Sequence, residues 1–167
     1  MNLAPAPSFS RVAIVGAGAI GGWLGVHLAR AGCELSALAR GATLAALQRD
    51  GLQLRSAEHS MQAPVTASQN SAALGEQDLV ILAVKAPALA EVARQIGPLL
   101  GRHTVVLTAM NGVPWWFLDG FGGALAGTRL ASIDAGGQIA RDIPVRHVVG
   151  GVVHASCSLD APGVVRR

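Results

Sequence analysis

The sequence predicts an α/β domain, a doubly wound and mostly parallel sheet followed by a β-rich C-terminal portion. Three observations predict it. Of 167 residues, 51% are hydrophobic and 14% charged, and near-continuous apolar runs are what a parallel sheet covered on both faces requires. Short β-branched apolar runs alternate with segments of helical length, the pattern of βαβ units with right-handed crossovers. One run, "RVAIVG" at Arg11–Gly16, passes through a glycine-rich turn into a helical stretch. A chain of this length is one domain, able to bury roughly two thirds of the surface its unfolded form exposes.

The elements follow in order. Residues 1–10, "MNLAPAPSFS", lack the basic segment and apolar core of a secretion signal and read as a disordered tail. "RVAIVG" is a strand stopped by glycine, and "AIGGWLGVHLARAG" a helix with Gly32 as its C-terminal stop. "CELSALAR" is the second strand and "GATLAALQRDG" a helix closed by Gly51. "LQLRS" and "MQAPVTAS" read as a pair of short strands flanking polar Ala57–Ser60. "QDLVILAVK" is a strongly apolar strand, and "APALAEVARQIGPLL" a helix with Pro87 in its first turn, where proline is tolerated. "HTVVLTAM" is a further strand, ending at Asn111–Gly112. Beyond Gly112, "GTRLASIDAGGQIA" and "VRHVVGGVVHASCSLDAPGVV" read as strands and turns without a helix between them.

Composition argues against several functions. Val12–Leu28 carries no formal charge, but it is at the lower length limit for a span, holds five glycines and begins as a β-rich run, so no membrane segment is expected. The net charge of +3 comes from scattered arginines with no basic stripe and no aromatic interleaving, so no nucleic-acid partner is expected either. Cys33 and Cys157 lack CxxC spacing and read as free thiols of a cytoplasmic protein. The five histidines form no ligand pattern, and no metal site is expected.

Ligands of an open parallel sheet bind beyond the carboxyl ends of its strands, which makes the strand-ending residues informative. The first strand ends in "GAGAIG": Gly16, Ala17, Gly18, Ala19, Ile20 and Gly21. In a dinucleotide loop the first glycine makes the tight turn. The second lets the backbone approach a pyrophosphate, and the third lets helix and strand pack closely. A glycine-rich packing corner and the loop of an S-adenosylmethionine fold are the alternatives. The second strand ends at Arg40, where an NAD site would carry a carboxylate for the ribose 2′-hydroxyl, and Glu34 lies at the wrong end of that strand. An always-charged, bidentate guanidinium suits a 2′-phosphate, so the expected cofactor is NADP(H); a solvent-facing strand cap is the plainer reading. The next two strands end at Lys85, the only lysine of the chain, and at Asn111. Glycine loop, arginine, lysine and asparagine thus fall at one edge of one sheet.

In combination, "RVAIVGAGAIGG", "LAR" with Arg40, "DLVILAVKA" with Lys85 and "NGV" with Asn111 resemble the N-terminal domain of ketopantoate reductases, also called 2-dehydropantoate 2-reductases. The resemblance implies NADPH-dependent reduction of a 2-keto acid to a 2-hydroxy acid in the cytoplasm, as in pantothenate biosynthesis. It implies that Lys85 and Asn111 line the cofactor and substrate pocket and that Ser156, in the "GGVVHAS" stretch, contributes near the cofactor. Met110 departs from the glutamine or histidine that often precedes the asparagine, and the insert between Trp115 and His147 has no assigned role. The family also carries a helical C-terminal domain supplying a general-acid lysine and a partner glutamate. No such domain precedes Arg167, so Lys85 reads as a positioning lysine and residues 11–167 as the cofactor-binding part, not competent alone. A non-catalytic NADP(H)-binding or redox-sensing domain is the alternative, and a methyltransferase-like domain is disfavoured by Arg40. Trp115, Trp116 and Phe117 read as core or interface, and an uncovered apolar patch there favours self-association, for instance as a homo-oligomer.

Overall fold

The structure, a computed structural model, describes residues 9–120 and 122–167. Strands β1 (Arg11–Val15), β2 (Glu34–Leu38), β5 (Thr66–Ser68), β6 (Gln77–Leu82), β7 (Leu100–Ala109) and β8 (Val148–Gly151) form the main sheet. Its order is β5-β2-β1-β6-β7-β8, and every neighbouring pair is parallel. Numbered within this sheet alone, the order is 3-2-1-4-5-6. The chain winds outward one way from β1 and the other way from β6, which leaves a crevice between their carboxyl ends.

Period-two alternation sorts β1 between the two faces. Val12 and Ile14 join one core cluster with Leu35, Leu52 and Val165, while Ala13 and Val15 join another with Leu89, Ile96 and Ile143. The first face is covered by α1 (Ala19–Arg30) and, beyond it, by a second sheet. That sheet comprises β4 (Ser60–Ala63), β3 (Leu52–Arg55), β10 (Val164–Arg166) and β9 (Ser158–Ala161), in that order, with β3 and β10 parallel and the other pairs antiparallel. Glycines in α1 set how closely it approaches. A Cβ on Gly22 would lie 2.7 Å from Val165 Cγ2, and one on Gly25 would lie 3.0 Å from Leu52 Cδ1. The opposite face is covered by α3 (Leu89–Ala93) and α4 (Gln138–Asp142), and α2 (Gly41–Asp50) follows β2.

Three expectations need correction. "MQAPVTAS" is not one strand: it divides at Pro64 into β4, paired with β3, and β5, at the edge of the main sheet. A proline has no N–H for a ladder and breaks the run. The helix expected over Ala86–Leu100 shrinks to α3 between two tight turns, because Pro98 has no N–H for the Arg94 carbonyl and its ring would crowd that turn. In "GTRLASIDAGGQIA" there is no strand but turns and then α4. The Asp134 carboxylate accepts the N–H groups of Ile139 and Ala140 at 2.8 and 3.0 Å and so caps that helix. At the start of the described residues, the N–H groups of Ser10 and Arg11 both donate to Asp78 at 2.8 Å. Residues 1–8 of the expected tail lie outside the described residues.

Among the described residues no helix is long and apolar enough to cross a membrane, and much of Val12–Leu28 is α1. Cys33 and Cys157 are free thiols, and burial pushes the Cys157 thiol up from its ordinary pKa against the opposing charge of Arg167.

Candidate functional site

The crevice between β1 and β6 opens into a cavity of about 480 Å³ floored by Gly16, Ala17 and Gly18. Two of the three motif glycines have reasons inside the protein. Gly16 turns out of β1 at φ 96°, and a Cβ there would lie 2.7 Å from both the Ala83 carbonyl oxygen and Val84 Cγ1. Its bareness lets the β1 and β6 exits meet. A Cβ on Gly21 would collide with the Gly16 carbonyl oxygen and lie 2.9 Å from Ile14 Cγ2, so α1 could not seat on β1. Gly18 is different. A Cβ there would meet no atom of the described residues within 4 Å, and its φ of −83° is open to any residue. The first main-chain bond of α1 runs from the Gly22 N–H to the Gly18 carbonyl at 2.8 Å. The N–H groups of Ala19, Ile20 and Gly21 therefore have no intrahelical acceptor, and such a helix start favours an anion. The Ile20 side chain itself packs against the core.

Arg40 stands at the N-cap of α2 and lines the same cavity. Its guanidinium reaches across to Glu91 of α3, 2.6 Å away, with the two side chains 77% and 46% exposed. Glu91 is not among the residues that the sequence singles out. Its only local signal is an acidic residue shortly after the β6 exit, and the partnership with Arg40 spans 51 positions.

A second cavity of about 940 Å³ lies at the exits of β7 and β8, lined by Met110, Asn111, Trp115, Trp116, Phe117 and Ile133 among others. Lys85 follows β6 by three residues and stands between the two cavities: Val84 lines the first, and Ala86 and Pro87 line the second. It is exposed and makes no ion pair among the described residues. Asn111 has a structural task. Its Oδ1 accepts the Val153 N–H at 2.9 Å and its Nδ2 donates to the Val153 carbonyl at 3.2 Å, which ties the β7 exit to the chain leaving β8. Ser156 is exposed on the link from β8 to β9, outside the lining of either cavity. The structure thus gathers the glycine loop and Arg40 at one cavity and Asn111 at the next, with Lys85 between them and Ser156 apart. Trp115 is core at 6% exposure, the Trp116 ring lies where a Cβ on Gly150 would stand, and Phe117 is 46% exposed.

A parallel sheet of this order, with a glycine turn and a free helix start at its switch point, defines a Rossmann-type domain. The ketopantoate reductase PanE/ApbA family model matches residues 12–115, and the chain belongs to that family. It is 49% identical over 158 residues to a 2-dehydropantoate 2-reductase of Mesorhizobium japonicum (strain LMG 29417 / CECT 9101 / MAFF 303099), covering 94% of this chain and 48% of that protein. A crystal structure of a candidate ketopantoate reductase from Ralstonia solanacearum MolK2 superposes with a TM-score of 0.91 at 55% identity, covering 96% of this chain and 50% of the other. A PanE/ApbA family ketopantoate reductase from Ralstonia eutropha JMP134 gives 0.73 at 30% identity, with coverages of 94% and 46%. The chain spans about half the length of these relatives.

Proposed function

We propose that this chain is the NADP(H)-binding half of a cytoplasmic oxidoreductase that reduces a 2-keto acid, ketopantoate or a relative of it, to the 2-hydroxy acid. The observation that carries the reading is Gly18. Gly16 and Gly21 must be bare because the protein crowds them, whereas the space over Gly18 is empty of any described residue and faces the cavity. A main chain left open beside unbonded helix N–H groups fits a pyrophosphate, and the residues present therefore fit a dinucleotide.

Gly16, Ala17, Gly18, Ala19, Ile20 and Gly21 would hold the pyrophosphate through main-chain N–H groups, and Arg40 would pair with a 2′-phosphate at the far end of the cavity. The bound cofactor supplies the hydride. Lys85, at the junction of the cavities, presents an ammonium to the carboxylate or keto oxygen of a substrate entering the second one. Asn111 holds the second cavity's wall in register through Val153. Lys85 is then a positioning cation, and proton delivery falls to the helical C-terminal domain that the family resemblance implies. Ser156 contributes only if its link moves toward the crevice. The free thiols suit a reducing compartment.

Fluorescence titration with NADPH and, in parallel, NADH tests the reading. Micromolar NADPH binding, about tenfold tighter than NADH, is the expected result. Equal binding would remove Arg40 from the proposal and leave the glycine loop. Binding of neither would remove the dinucleotide site.

A further inference from the structure

We propose that Glu91 is a specificity-determining residue of the first cavity, one that lowers the site's preference for a 2′-phosphorylated dinucleotide over the unphosphorylated one. The inference rests on the dinucleotide reading above and concerns the same site.

Arg40 arrives from β2 and Glu91 from the element after β6, so their 2.6 Å pair bridges the two halves of the doubly wound sheet above the glycine floor. Among the described residues they are the only formally charged ones lining the cavity, and their charges cancel. A phosphomonoester brings between one and two negative charges at neutral pH. To reach the guanidinium it must displace the carboxylate from Nη1 or share Arg40 with it, and in either case it comes to rest close to a like charge. A ribose 2′-hydroxyl has the opposite relation to Glu91, because it can donate to a carboxylate. One side chain therefore opposes the phosphate and accepts from the hydroxyl. Exposure of both partners keeps the pair screened and able to open, so the effect is moderate and sensitive to salt.

The test compares Glu91→Gln, Arg40→Met and the unsubstituted chain, each titrated with NADPH and NADH at low salt and at about 0.5 M salt. Glutamine keeps the size of Glu91 and removes only its charge. The ratio of NADH to NADPH dissociation constants is expected to rise about fivefold in Glu91→Gln, mostly through tighter NADPH binding, and the rise should shrink at high salt. In Arg40→Met the ratio should fall. An unchanged or lower ratio in Glu91→Gln, with Arg40→Met still lowering it, would overturn the role of Glu91 and leave the dinucleotide site standing. An equal change in both affinities would mark Glu91 as merely structural and also overturn it. If no protein bound either dinucleotide, the underlying reading would fail, and the proposal with it.

Discussion

Gly21 and Gly18 stand three positions apart in one turn and answer to different constraints. Gly21→Ala forces a Cβ against the Gly16 carbonyl oxygen and Ile14. It should cost about 1–3 kcal/mol, read as a lower urea midpoint with the slope unchanged. Gly18→Ala meets no atom of the described residues and should leave stability within about 0.5 kcal/mol. It should nonetheless weaken NADPH binding by about tenfold or more, because the added methyl stands where the pyrophosphate would pass. Loss of stability in both variants, with binding untouched, would make the motif a packing corner. At the opposite edge of the sheet, the N–H groups of Arg11 and then Ser10 hold the Asp78 carboxyl below the ordinary carboxylate pKa. A depressed folded pKa stabilises the fold above the unfolded value and loses that contribution as the pH falls through the folded one. Asp78→Asn should therefore be destabilised relative to the unsubstituted chain near neutral pH. The gap should close below about pH 4, as followed by urea unfolding across a pH series.

Elements after Gly112 depend on side-chain stitching more than on propensity. α4 is five residues long, and its first turn is held by the buried Asp134 carboxylate. Asp134→Ala strips the acceptors from the Ile139 and Ala140 N–H groups and should cost about 1–3 kcal/mol, with faster amide exchange confined first to that segment. The Asn111–Val153 bonds do the same for the chain leaving β8. Asn111→Ala should abolish exchange protection at the Val153 amide, which separates its structural task from any direct contact with substrate. These elements were the ones least legible in the sequence. "GTRLASID" carries β-forming residues yet lies in turns, because Asp134, Gly136 and Gly137 form a local cap that alternation does not reveal. The short α3 departs from its sequence pattern for a related reason, since Pro87 marks a helix start and Pro98 then denies it length.

At the scale of the molecule, the first cavity joins both halves of the sheet, so a ligand filling it should resist unfolding of the whole domain. NADPH at about 100 times its dissociation constant should add about 2.7 kcal/mol, or roughly 5–10 °C in Tm for a domain of this size. A Tm that does not move with NADPH would count against the dinucleotide site. Next to that cavity, Val113, Phe117 and Val152 are 53%, 46% and 74% exposed at the mouth of the larger one. Such a face favours association, and sedimentation velocity should show a coefficient that rises with protein concentration.

What the sequence by itself determined is local. The alternation along β1, the bareness of Gly21 against Gly16 and Ile14, and the stops at Gly32 and Gly51 are each legible from residues a few positions away. Only the tertiary structure decided that Arg40 shares its charge with Glu91, that Asn111 is bound to Val153, and that β10 lies beside β3 over the bare face of α1. Those partnerships join residues tens of positions apart. Loop closure and packing bring them together, and no spacing in the chain encodes which distant side chain arrives.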